Sequence, residues 1–281
     1  MKLNGTPFTT APTAIDLLIC DIDGTFVRSD KTLGDPVIAA THRLRAAGVQ
    51  LALISARPAS GILWIAEAIG LSGPVGAFNG GTIVEAPGGA VIAAERLAPE
   101  VAREALARID RPGIIVWVFH KDRWYATARD ETYTPREVRS TSQEPTIVSD
   151  FTDLLDGIDK IVAVSGDEPT LAALEDEVAR DLGAGANVIR SQTYYLDITA
   201  PKANKGDGVA ALAEALGVDL ARVAVIGDQF NDVAMFKRAG LAIAMGNAPD
   251  AVKQTAAEVT GSNDEDGVAQ AIDRILLQRG G

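Results

Sequence analysis

Five short, nearly unbroken apolar runs constrain this 281-residue chain more than any other feature: residues 15–20 (IDLLIC), 49–55 (VQLALIS), 75–78 (VGAF), 222–228 (RVAVIGD) and 241–245 (LAIAM). Runs of this length without polar alternation are strands buried on both faces. Helix-period segments separate them. Val37, Ile38, Thr41 and Leu44 form one stripe, stopped by Gly48; Ile62, Ile65, Ala66 and Ile69 form another, stopped by Gly70. Further helices are expected over 205–216, 231–239, 248–256 and 265–278. Strands alternating with helices predict an α/β fold: a doubly wound, parallel, Rossmann-like sheet.

The middle of the chain breaks this rhythm. Residues 82–97 predict two strands around a Pro-Gly-Gly turn, 99–109 a helix, and 113–128 a hairpin turning at Lys121-Asp122. Residues 129–149 are polar and predict irregular structure. A strand (159–166), a helix (168–182) and a strand (187–190) follow. The expected organisation is a core formed by 1–83 and 193–281, interrupted by an α+β cap domain over 84–192, with residues 1–13 a loose arm.

Lys and Arg number 26 against 38 Asp and Glu, a formal charge of −12. That balance argues against nucleic acid and anionic membrane surfaces, which reward clustered cations. It leaves a small anionic substrate open, since a few local cations and a metal overcome a diffuse field. The single cysteine, Cys20, excludes an intrachain disulfide and fits a reducing compartment. No apolar run is long enough to span a membrane, and no signal-peptide pattern follows Lys2, so a cytoplasmic location is expected.

Doubly wound sheets place their sites beyond the carboxyl ends of strands. Polar residues gather there in this sequence: Asp21, Asp23 and Thr25 after the first run, Ser55 and Arg57 after the second, Asn79 after the third, and Asp228, Asn231 and Asp232 after the fourth. Lys205 opens the helix before that fourth run. Four carboxylates in one pocket repel, and such a pocket raises pKa values or takes up a cation. All-oxygen ligands of this kind suit Mg²⁺. A carboxylate nucleophile, a second carboxylate, a cation and donors for phosphoryl oxygens together are the parts of phosphoryl transfer.

These residues resemble the motifs of the haloacid-dehalogenase-like (HAD) phosphatases. "DIDGT" at 21–25 is similar to motif I, Ser55 to motif II, Lys205 in "PKANKGDGV" to motif III, and "GDQFND" at 227–232 to motif IV. "NGG" at 79–81 is similar to the turn before the cap in the Cof-type subgroup, and the αββ-then-αβ order of the cap to the C2B form. The resemblance covers the whole chain. It implies that Asp21 attacks phosphorus and that Asp23 protonates the leaving alcohol and then activates water. It further implies that Asp21, the Asp23 carbonyl and Asp228 hold Mg²⁺ while Asp232 orders the metal shell. Ser55 and Lys205 would hold the phosphoryl group, with Thr25, Arg57, Asn79 and Asn231 as further phosphate- or substrate-binding candidates. "SARP" at 55–58 departs from the S/T-G-R of the subgroup, which bears on Arg57 more than on Ser55.

Simpler roles compete at several positions. Asn231 and Asp232 suit helix N-caps, Asn79 suits a turn, and Lys205 alone would suit a solvated helix start. His120, Arg123 and Trp124 on the cap hairpin, and Tyr133, Arg136 and Arg139 beyond it, could reach a substrate or serve structure. Three functions fit: a Mg²⁺-dependent phosphatase for a small phosphorylated metabolite, a phosphomutase or other phosphotransferase, and a non-catalytic receiver-like module that accepts a phosphoryl group. No G-x-x-x-x-G-K-[ST] occurs, and no G-x-G-x-x-G follows the first run.

Overall fold

The structure is a computed structural model that describes residues 14–279; the expected N-terminal arm lies outside the described residues. In chain order the strands are β1 (Leu17–Asp21), β2 (Gln50–Ile54), β3 (Gly73–Ala77), β4 (Thr82–Ala86), β5 (Ala90–Ala94), β6 (Ile115–His120) and β7 (Arg123–Ala126). They continue with β8 (Thr146–Ile147), β9 (Ile158–Val164), β10 (Asn187–Gln192), β11 (Tyr195–Thr199), β12 (Val223–Gly227), β13 (Leu241–Ala244) and β14 (Glu258–Val259). The helices are α1 (Asp35–Ala46), α2 (Ser60–Ala68), α3 (Pro99–Ile109), α4 (Thr134–Thr141) and α5 (Glu168–Leu182). The rest are α6 (Lys205–Ala215), α7 (Val233–Phe236), α8 (Asp250–Lys253) and α9 (Gly267–Arg279).

The core sheet has the order β14-β13-β12-β1-β2-β3-β4-β5. The strands from β14 to β3 run parallel. β1 is fully buried because both of its faces are covered. Leu18 and Cys20 pack in one cluster with Val37 and Leu44 of α1, Ile62 of α2 and Ile272 of α9. Leu17 and Ile19 pack on the other face with Val209 and Leu212 of α6 and Val252 of α8. This is the doubly wound arrangement expected from unalternating apolar runs. Cys20 is a buried core residue, and burial first, then the neighbouring Asp21 charge, raises its thiol pKa.

A second sheet, in the order β10-β11-β9-β6-β7-β8, forms the cap. One face is covered by α3 and α5, through Ala105, Ile109, Leu171 and Val178. Trp117, Phe119, Trp124, Val162 and Val164 belong instead to the cluster shared with the core. The rings of Phe119 and core residue Phe78 lie 5.6 Å apart.

Two boundaries differ from the sequence reading. The division at 83/84 falls inside β4, and β4 and β5 pair antiparallel onto β3 as the edge of the core sheet. Joining the core sheet buries Ile83, Val84 and Ala86 of β4 and leaves β5 as an exposed edge strand. The division at 192/193 falls between β10 and β11, and β11 pairs with both β9 and β10 in the cap sheet. The polar segment 129–149 holds helix α4 and strand β8. Its many charged and hydroxyl side chains hide a single buried stripe of Thr134, Glu137 and Thr141. Strand β14, two residues long, is too short to leave a pattern.

Candidate active site

β1 delivers Asp21 to the carboxyl edge of the sheet, and the chain turns sharply behind it. The backbone N–H groups of Thr25, Phe26 and Val27 all donate to the Ile22 carbonyl. Gly24 makes the turn possible twice over. Its φ is +79°, and a Cβ there would stand 2.4 Å from Asp228 Oδ2. The motif I turn and the β12 carboxylate therefore approach each other through the space a side chain would occupy.

α6 approaches just as closely from the other side. A Cβ on Gly80 would lie 2.4 Å from the Cα of Gly208. This contact sets the N-terminus of α6 at the sheet edge, where the Asn204 side chain caps the helix by accepting from the Asp207 N–H at 3.0 Å. Lys205 follows the cap and is 2% exposed. Its ammonium donates to Asp21 Oδ1 and to Asp232 Oδ1, at 2.5 Å each. Asp232 Oδ2 accepts from the backbone N–H groups of Asp228 and Gln229, at 2.7 and 2.8 Å. Asp228 receives Thr25 Oγ1 at 3.1 Å and Gln229 Nε2 at 3.3 Å.

Asp21, Asp228 and Asp232 are buried and offer carboxylate oxygens that all lie within 4.8 Å of one another. Lys205 is the ammonium paired with two of them. Three anions against one cation leave a buried negative excess. Burial raises the Asp21 carboxyl well above the usual range; Lys205 opposes this, and Asp232 and Asp228 add to it. Burial, reinforced by Asp232, pushes Asp228 up to about 6. An all-oxygen donor set carrying excess charge fits a hard divalent cation such as Mg²⁺. The Asp23 side chain stands outside this trio.

Asp23 is held instead by cations. Arg57 grips it with Nε and Nη2, at 2.7 Å each, and Lys31 Nζ donates at 2.7 Å. Burial alone would raise the Asp23 carboxyl, but the Arg57 hydrogen bonds and charge, with Lys31, pull it down to about 2. Arg57 is itself anchored to the Gly61 carbonyl at 3.0 Å.

The other candidates take their places around this centre. Ser55 is buried, borders the cleft, and its Oγ accepts from the Arg57 N–H at 3.2 Å. Thr25 is buried, with its hydroxyl committed to Asp228. Asn79 has a left-handed backbone (φ 59°) and donates its N–H to the Ser55 carbonyl at 2.7 Å. Asn231 borders the cleft and donates to Asn79 Oδ1 at 3.2 Å. Asp21, Asp23, Ser55, Arg57 and Lys205 share a cleft of about 470 Å³, closed from the cap side by α4, β9 and the β10–β11 hairpin. Trp124 on the cap hairpin is core, 5.0 Å from the Trp117 ring centroid.

Some residues of the site escape a reading of the sequence. Asn247 donates to the Gly24 carbonyl at 2.9 Å and reaches Asp228 Oδ2 at 3.4 Å, tying the motif I turn to the loop after β13. Glu137, Lys160 and Tyr195 border the cleft from the cap. The spacing of Thr134, Glu137 and Thr141 is a helical signal within a segment whose polarity suggests a loop.

Comparison with known proteins agrees with this geometry. The model of the haloacid dehalogenase-like hydrolase family matches residues 18–272. The HMP-PP phosphatase of Cronobacter sakazakii is 30% identical over 81% of this chain and 83% of its own. The pyridoxal phosphate phosphatase YbhA of Escherichia coli is 28% identical over 93% of this chain and 98% of its own. Among solved structures, a haloacid dehalogenase-like hydrolase from Bacteroides thetaiotaomicron is 30% identical with a TM-score of 0.81, covering 93% of this chain and 99% of that one.

Proposed function

This chain belongs to the haloacid dehalogenase-like hydrolases, and we propose that it is a Mg²⁺-dependent phosphatase that hydrolyses a small phosphomonoester through an aspartyl-phosphate intermediate. The observation that carries the reading is the placement of Asp21: a buried carboxylate at the cleft floor, bonded to Lys205 and grouped with Asp228 and Asp232. The named relatives act on small phosphorylated molecules, which supports the same substrate class.

In this mechanism an Asp21 carboxylate oxygen attacks phosphorus, and the bond from phosphorus to the ester oxygen breaks. Asp23 supplies the proton that the leaving alkoxide needs. Its low pKa in the free protein comes from Arg57 and Lys31. An incoming phosphate dianion opposes those cations and raises the Asp23 carboxyl again. Asp23, left as a carboxylate, then takes a proton from water, and the water oxygen displaces Asp21 from phosphorus. Lys205 compensates charge on Asp21 and on the phosphoryl oxygens throughout. Ser55 adds a hydroxyl at the same wall. Asp21, Asp228 and Asp232 would hold Mg²⁺, which neutralises phosphoryl charge when bound.

We take the cap to be the segment from after β5 to the end of β11, which closes the cleft and excludes water from the first step; the separate sheet that β6 to β11 form supports this division. The buried thiol of Cys20 fits a reducing compartment such as the cytoplasm. Asp21→Asn is the decisive variant. It should release no phosphate from an aryl phosphate with Mg²⁺, and mass spectrometry of the unaltered protein quenched during turnover should find the phosphoryl group on Asp21. Undiminished turnover by Asp21→Asn would overturn the reading.

A further inference from the structure

Alternation along the cap strands decides which of their residues face the cleft. On β9, Ile161 and Ala163 pack beneath the cap helices, so Lys160 turns with Val162 toward the core. On β11, Leu196 and Ile198 take the helix side, which turns Tyr195 and Asp197 the other way. On α4, Glu137 sits in the middle of the buried stripe. Glu137, Lys160 and Tyr195 thus meet at the cleft wall opposite Asp21.

Glu137 is 8% exposed, and among the described residues its carboxylate receives no side-chain hydrogen bond or ion pair. Among the described residues, the Tyr195 hydroxyl and Asp197 Oδ1 are fully buried without a hydrogen-bond partner. Lys160 Nζ donates to the Ala56 carbonyl at 3.2 Å and lies 3.5 Å from Asp197 Oδ2, so it is tethered away from a close pairing with Glu137. Unsatisfied buried polar groups are costly, and clusters of them in a cleft wall are explained by a ligand that satisfies them. Glu137 feels the charges of Asp23 and Arg57 as well as those of Lys160 and Asp197. Glu137 lines the same cleft as Asp21, Asp23 and Arg57, so part of an ester bound there faces its carboxylate. A carboxylate at that point welcomes a hydroxyl and repels a second anion. Arg136 and Arg139 border the cleft from the exposed side of α4, and Arg136 lies over the Tyr133 and Tyr194 rings. They favour entry of the phosphate but sit apart from the buried wall.

We propose that Glu137, flanked by Lys160 and Tyr195, selects the leaving group: it accepts a hydrogen bond from a hydroxyl beside the ester oxygen and so favours phosphomonoesters whose leaving group is uncharged and polyhydroxylated over those carrying a second anion there. This rests on the phosphatase reading above. Burial, partly offset by Lys160, raises the Glu137 carboxyl to about 7, so the test is run at pH 8, where it is ionised.

Three small esters separate the outcomes: glycerol phosphate with a neighbouring hydroxyl, propyl phosphate without one, and phosphoglycolate with a carboxylate there. The unaltered enzyme should prefer glycerol phosphate to propyl phosphate by about 10- to 100-fold in kcat/KM. Glu137→Gln should cut that preference about tenfold and raise kcat/KM for phosphoglycolate, a gain that a damaged fold cannot produce. Glu137→Ala should remove the preference. An unchanged preference in both variants, or no preference in the unaltered enzyme, overturns the inference while leaving the phosphatase reading intact. Failure of the unaltered enzyme to release phosphate from any ester, an aryl phosphate included, overturns the phosphatase reading itself.

Discussion

Arg57 holds Asp23 through two parallel hydrogen bonds of 2.7 Å, and its remaining amino group is tied to the Gly61 carbonyl. The guanidinium is 4% exposed, so it is a fixed part of the wall. Arg57 thereby fixes the position of the Asp23 carboxylate.

That pairing has a pH signature. The Asp23 carboxyl titrates near 2 in the folded protein against an ordinary 3.8, so its contribution to stability is present above pH 4 and lost as pH falls through 2. Because the Asp23 side chain is 32% exposed, solvent screening reduces the contribution to roughly 1 kcal/mol. Arg57→Met should remove most of this difference between pH 5 and pH 2.5, measured by urea denaturation. Arg57→Lys should not restore it, because an ammonium cannot make the bidentate contact. Equal pH dependence in all three proteins would contradict the assignment.

Lys205 compensates two buried carboxylates at once. Despite burial, Asp21 and Asp232 raise its pKa, so it stays charged through the neutral range. Lys205→Met leaves those carboxylates without their cation and should cost about 3–5 kcal/mol in chelator-treated protein. Mg²⁺ should recover part of that loss, as read from the denaturation midpoint with and without the ion. A variant as stable as the parent in chelator would show that the ion pairs contribute little.

Metal affinity should follow the carboxylates' protonation. Burial and Asp232 raise the Asp228 carboxyl to about 6, so protons compete with a cation as pH falls through that value. Calorimetric titration with Mg²⁺ should show affinity rising by about tenfold from pH 5 to pH 7.5, with proton release on binding. Chelation should abolish phosphate release, and added Mg²⁺ should restore it. Flat affinity across that interval would exclude Asp228 as a ligand.

Gly24 offers a test that leaves every charged group in place. Gly24→Ala sets a methyl group 2.4 Å from Asp228 Oδ2 in a backbone of φ +79°. The variant should lose more than about 1 kcal/mol of stability. It should also weaken Mg²⁺ binding by at least about tenfold through displacement of Asp228. Unaltered binding would mean that the turn can open without moving the carboxylate.

The sequence alone determined the doubly wound core and the gathering of polar residues at the carboxyl edge of its sheet. Buried parallel strands leave unbroken apolar runs, and a strand that ends on Asp21, Ser55, Asn79 or Asp228 announces itself because charge or polarity follows burial within a residue or two. The parallel sheet closes separations of 184 residues between Asp21 and Lys205 and of 203 between Thr25 and Asp228, because it brings the carboxyl ends of its strands to one edge. Tertiary structure decided what each polar group is bonded to. Thr25 is committed to Asp228, Arg57 to Asp23 and Asn79 to Asn231, because those pairings depend on how strand-end loops approach across the sheet. It also decided that β4 and β5 extend the core, since an antiparallel hairpin has the same local pattern whichever sheet edge receives it. The wall of Glu137, Lys160 and Tyr195 came from one helix and two strands of the cap, and no local pattern links residues whose proximity is set by packing alone.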